Sequence, residues 1–169
     1  MAQRPLLFKG FDTETDNLGN IVVVATDTEY ARVTTFTDFI NFMWSKEYKK
    51  SIFWTWNLQF DAEGIIKMAL KEFTHDGTWR EAAKQIMKGK EYDDMGVMVG
   101  KSEGWFFPIP NMGSVRIYYI KSKKLEMIYT TIPNRCKKPR NYKFLFYDIA
   151  QFYAHRSLNS QAKEWLGEE

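Results

Sequence analysis

The chain is poor in the residues that build covalent or soft-metal frameworks. Its 169 residues include one cysteine, Cys136, and two histidines, His75 and His155. One thiol excludes an internal disulfide and any Cys-rich zinc site, and two imidazoles speak against a zinc centre. Cys136 stands in a polar, basic segment, the setting of a free surface thiol. No apolar run reaches the ~18 residues of a membrane-spanning helix, and Met1-Ala2-Gln3-Arg4-Pro5 lacks the apolar centre of a signal peptide. The expectation is a reducing, intracellular (cytoplasmic) setting with no membrane partner. No repeat, low-complexity tract or long Gly/Ser linker divides the chain, so a single domain over residues 1–169 is expected, long enough for a sizeable core.

What is present is aromatic and unevenly charged. Aromatic residues make up a high 17% of the chain; some belong to a core, and exposed rings are also one means of stacking on bases. Net charge is only +3. Yet Arg116, Lys121, Lys123, Lys124, Arg135, Lys137, Lys138, Arg140 and Lys143 crowd into one stretch against a single acid, Glu126. Such a tract suits either a polyanion backbone or a solvated hairpin face.

Hydrophobic patterning predicts an α/β chain. Residues 5–12, 21–26 and 30–36 read as three strands of an antiparallel meander with the first strand central. Thr37 is the expected N-cap of a helix to about residue 46, carrying Phe39, Ile40, Met43 and Trp44 at helical spacing. Residues 51–56 read as a fourth strand. Ile65, Ile66, Ala69, Leu70 and Phe73 mark a second helix, so a crossover would set the fourth strand parallel to its neighbour. A third helix is expected around residues 79–87. An extended aromatic run at 105–110, a hairpin at 115–120 and 125–131, a strand at 143–149 and a short helix at 157–167 complete the expectation.

Two acids end the first strand, in Phe11-Asp12-Thr13-Glu14-Thr15. Residues i and i+2 of a strand share a face, and two anions held side by side repel unless a cation lies between them. A hard divalent ion with oxygen ligands, Mg²⁺ or Mn²⁺, answers that need. A solvated polar turn answers it as well. Asp61 follows the fourth strand, and with strands one and four adjacent and parallel, Asp12, Glu14 and Asp61 are expected at one sheet edge. Three carboxylates can hold one or two ions, and two ions about 4 Å apart activate water against a phosphodiester without a protein nucleophile. No Ser-His-Asp or Cys-His arrangement offers a competing chemistry.

Phe11-Asp12-Thr13-Glu14 resembles the first motif, D-x-E, of the DEDD (DnaQ-like) 3′→5′ exonucleases. Asn57-Leu58-Gln59-Phe60-Asp61 resembles the second motif, N-x-x-F-D, of the exonuclease domains of family B DNA polymerases. Motif spacing and the basic hairpin are similar to the protein-primed members, and the likeness spans nearly the whole chain. The resemblance implies an RNase H-like mixed five-stranded sheet flanked by helices, with an inserted basic β-hairpin. It implies proofreading of a single-stranded DNA 3′ end by two Mg²⁺ or Mn²⁺ ions on Asp12, Glu14 and Asp61. It implies strand contacts from Thr13, Asn57 and Phe60, backbone contacts from Lys137, Lys138 and Arg140, and a terminal protein primer and the remainder of the polymerase as partners. On their own, Phe60 also reads as a helix-start packing residue and Asn57 as a turn residue. Asp148 ends a strand and reads as structural or as a near neighbour of the site.

The family's third motif, Tyr or His four residues before an Asp, has no counterpart before Gly167-Glu168-Glu169. The expectation is a fragment of a longer polymerase. The alternative is a catalytically incomplete domain that binds single-stranded nucleic acid or a partner.

Overall fold

The computed structural model describes residues 7–44, 48, 51–73, 91–92, 98–99, 105–109, 111–121, 123–132, 138–153 and 163–164. Its elements in chain order are β1 (Leu7–Thr15), β2 (Ile21–Thr26), β3 (Tyr30–Arg32), α1 (Phe36–Met43), β4 (Ser51–Thr55) and α2 (Leu58–Phe73). There follow β5 (Glu91–Tyr92), β6 (Met98–Val99), β7 (Trp105–Ile109), β8 (Gly113–Ile120), β9 (Lys124–Thr131), β10 (Asn141–Asp148) and a 3₁₀ turn, Ile149–Tyr153. The α/β class is as expected.

Eight strands form one sheet in the order β3-β2-β1-β4-β10-β9-β8-β7, and β5 pairs with β6 apart from it. β1, β4 and β10 run parallel, and every other neighbour in the sheet is antiparallel. The sheet is therefore larger than the expected five strands. The basic hairpin is not a separate insertion: β9 pairs along β10, so β8 and β7 extend the main sheet. Pro108, which has no N–H to give, is accommodated because β7 is the edge strand and pairs only with β8.

Alternation sets the two faces. In β1, Lys9, Phe11 and Thr13 are buried while Asp12 and Glu14 are exposed; in β4, Ser51, Phe53 and Thr55 are buried. Phe11, Phe53 and Phe146 from three adjacent strands meet with ring centroids 4.8–6.0 Å apart. Both described helices cover this face: Phe39 of α1 lies 6.4 Å from Phe11, and α2 adds Leu58, Ile65, Ile66 and Leu70 to the same core. Each such side chain is worth about 1.5–3 kcal/mol on burial. Gly64 lets α2 approach β2 closely, since a Cβ there would stand 2.7 Å from Ile21 Cδ1.

Local chemistry moves some boundaries. Thr35, not Thr37, caps α1, in a reciprocal capping box with Asp38. Thr37 is the second helical residue and donates from its amide (2.9 Å) and hydroxyl (2.5 Å) to Glu72, tying α1 to α2. The third strand stops at Arg32 because the capping box takes up residues 34–38, and α1 ends at Met43 with Trp44 as C-cap. The third helix expected at 79–87 lies outside the described residues. So does the helix expected at 157–167, apart from the helical Lys163 and Glu164.

Candidate metal and nucleic-acid site

The carboxyl ends of β1, β4 and β10 come together beside the start of α2, and strand alternation decides what each presents. Asp12 and Glu14 stand exposed on the face away from the helices, opposite Ala25 and Val23 of β2. The register shifts just after them, between Glu14 and Thr15. Thr13 points the other way and is buried.

Asp61 sits in the first turn of α2, where a carboxylate is favoured by the helix dipole. The preceding turn is made by Asn57, in the left-handed region at φ 62°, which asparagine tolerates better than most residues. Its carbonyl accepts from the Phe60 amide at 3.1 Å and starts the helix. The result turns Asp61 inward, to 1% exposure. Its Oδ1 accepts from Thr13 Oγ1 at 2.6 Å and its Oδ2 accepts from the Thr55 hydroxyl. Burial pushes its carboxyl up to about 6; the two threonine bonds oppose that rise, and the charge of Asp12 adds to it.

The three acids expected at one edge are thus arranged as a pair and a neighbour. Asp12 and Glu14 share the open face, while Asp61 is held from the covered face by Thr13 and Thr55. Among the described residues no group of three or more His, Cys, Asp or Glu side chains could hold a metal ion in this arrangement. The exposed pair suits a hard divalent cation whose remaining sites are filled by water or phosphate oxygens. Asp61 suits the same centre where an ion reaches its buried carboxylate, whose two oxygens each keep a lone pair beyond the threonine bond.

The expected nucleic-acid contacts separate in the same way. Asn57 and Phe60 are exposed together on the β4–α2 turn, Phe60 at 52%. Thr13 is 4% exposed with its hydroxyl engaged by Asp61, so its part is internal rather than toward a DNA strand. Lys138 and Arg140 are exposed, and Lys137 lies outside the described residues. Both described cations precede β10, whereas the acids lie at the strand's far end, roughly 23 Å away at 3.3 Å per residue. Of the described residues of the basic tract, those of the β8–β9 turn lie at the acid end. Lys124 pairs with Tyr147, and the Asp148 amide donates to the Lys123 carbonyl at 3.2 Å. Lys121 and Lys123 are exposed there, while Lys124 is bound to Glu126 at 2.7 Å.

An aromatic row on the same open face has no motif to announce it. Gly10, Trp54 and Tyr147 are in register on β1, β4 and β10, so Trp54 stands one pleat from Asp12. Trp54 contacts Tyr147 at 5.4 Å and Phe152 at 6.1 Å, and Phe152 is 67% exposed. The alternation of β4 could have placed Trp54; Phe152 depends on the 3₁₀ turn. A cleft of about 430 Å³ lies elsewhere, between α2 and β2, lined by Asn20, Val22, Lys67 and Lys71 among others and by none of the three acids.

Comparison with family models, with curated proteins and with solved structures finds no match to this chain. No described helix is long and apolar enough to cross a membrane.

Proposed function

We propose that the chain is an RNase H-like domain of the DEDD exonuclease class that trims the 3′ end of single-stranded DNA. The observation that carries this reading is the exposed Asp12–Glu14 pair at the end of a central strand, one pleat from the half-buried Trp54 of an aromatic row. The order β3-β2-β1-β4-β10, with only β2 antiparallel among the inner three, supports the RNase H-like assignment. Asp12 and Glu14 would hold Mg²⁺ or Mn²⁺, with Asp61 completing a two-ion centre. A divalent ion bound there supplies an acidified water and neutralises charge on the scissile phosphate. Asn57 offers an amide to phosphate or sugar oxygens, and Phe60 a ring face that accepts any base. Lys121 and Lys123 draw the polyanion toward the acid end. The partners in this reading are a DNA 3′ end, the rest of a protein-primed polymerase and its terminal protein.

The test is a ladder assay on 5′-labelled single-stranded DNA and RNA with Mg²⁺, using the chain and its longest natural reading frame. Stepwise 3′ shortening that is lost in Asp12→Ala is the expected result. Shortening unaffected by that substitution would refute the assignment of the metal site. A second reading, a binding module without catalysis, is favoured by the threonine bonds that hold Asp61 on the buried side of the sheet. Under it the chain binds oligonucleotides and shortens none, with or without Mg²⁺.

A further inference from the structure

The hydrogen bond given by the Asn57 amide is accepted by an acid that the proposed chemistry does not use. Asp148, the last residue of β10, is completely buried. It is in register with Thr55, the last residue of β4, whose hydroxyl binds Asp61. Asp148 Oδ1 accepts from the Asn57 amide at 3.2 Å and from the Ala150 amide at 2.8 Å. One carboxylate oxygen therefore ties together two chain reversals. The first carries Asn57, Phe60 and Asp61; the second carries Phe152.

The Asn57 bond is the informative one. Asparagine tolerates φ 62° better than most residues, yet the conformation still carries a small cost that its surroundings offset. The contact spans 91 positions in sequence, so nothing in the local chain supplies it. A backbone amide turned inward without an acceptor would be disfavoured, so the acceptor at position 148 selects the left-handed turn.

We propose that Asp148 is a positioning residue, which acts through the Asn57 amide to aim the Asn57 and Phe60 side chains at bound single-stranded nucleic acid. The nucleic-acid part rests on the function proposed above. What is required of position 148 is an acceptor oxygen, not a negative charge, so Asp148→Asn preserves both contacts through its amide oxygen and Asp148→Ala removes them.

Two measurements on the full chain test this: amide hydrogen exchange at Asn57 and Ala150, and equilibrium binding of a fluorescent oligothymidylate without divalent metal. In Asp148→Ala, exchange at Asn57 is expected to rise and oligothymidylate affinity to fall, each about ten-fold. Asp148→Asn is expected to stay within about three-fold of the parent in both, the scale of a retained acceptor. In an Asn57→Gly background, where a positive φ carries no steric penalty, Asp148→Ala should weaken binding less than it does in the parent. A folded Asp148→Ala protein with unchanged exchange at Asn57 would overturn the proposal. So would an Asp148→Asn protein with an unprotected Asn57 amide, a result that decides the matter even if Asp148→Ala fails to fold. If the parent binds no oligothymidylate, the proposed function falls, while the exchange data still decide whether Asp148 sets the turn.

Discussion

Thr13 donates a 2.6 Å hydrogen bond to Asp61 from the buried side of β1, between the exposed acids Asp12 and Glu14. The middle residue of the D-x-E motif is thus the link between the exposed acid pair and α2. Thr13→Val keeps the shape and removes the donor from a buried carboxylate. Chemical denaturation at neutral pH is expected to show a loss of about 1–3 kcal/mol. Thr13→Ser should recover most of it. An unchanged denaturation midpoint in Thr13→Val would show that the bond carries no stability.

The same carboxylate predicts a pH dependence. Asp61 is raised from its ordinary 3.8 to about 6, chiefly by burial. Its proton is held more tightly in the folded than in the unfolded chain, so the folded state binds more protons between these two values. Unfolding free energy therefore falls as pH rises from 3.8 to about 6, by up to about 3 kcal/mol, and the contribution is gone above that window. Asp61→Asn should flatten this slope in denaturation curves taken across the window. Asp38 acts in a different range. The Thr34 amide and hydroxyl hold its carboxyl below the ordinary value, so its contribution is lost only as pH falls below 3.8.

The separation of the basic residues along β10 predicts unequal effects on DNA binding. Lys121→Glu with Lys123→Glu, at the acid end, should weaken oligonucleotide binding more than Lys138→Glu with Arg140→Glu. The salt dependence discriminates further: each lost phosphate contact should reduce the slope of log K against log salt by about 0.7 for a single strand. Equal effects from the two pairs would mean that the bound strand runs the length of the sheet.

Gly113 opens β8 at φ 145°, where an added Cβ would stand 2.0 Å from the Thr130 carbonyl oxygen. The obstacle is backbone of the paired strand, which cannot rotate aside. Gly113→Ala is expected to lower stability by more than about 2 kcal/mol. Thermal unfolding of the variant checks this, and a shift of less than one degree would contradict it.

Much of the fold could be read from local pattern. The alternation of β1 and β4, the β-branched run of β2 and the apolar spacing of α2 are each set by residues a few positions apart, which is why these elements appear as expected. The Thr35 cap was misread as Thr37 because both residues are good caps. The choice between them was made by Glu72, which takes Thr37 as its partner from a helix 35 positions away. The extent of the sheet was beyond local reading too, since β9 could have paired with β8 alone; its register with β10 is a long-range choice.

For the candidate site the division is sharper. Sequence by itself determined that Asp12 and Glu14 share a face, because a strand repeats every two residues. It also determined that Asp61 stands near the start of a helix after Asn57. Only the tertiary structure decided that Asp61 faces Thr13 and Thr55, that Asp148 holds the Asn57 amide, and that Trp54, in contact with Phe152, stands one pleat from Asp12. The reason is physical. Strand period and helix start depend on neighbours in the chain, whereas a buried carboxylate takes whatever donors the packing of distant strands brings within reach.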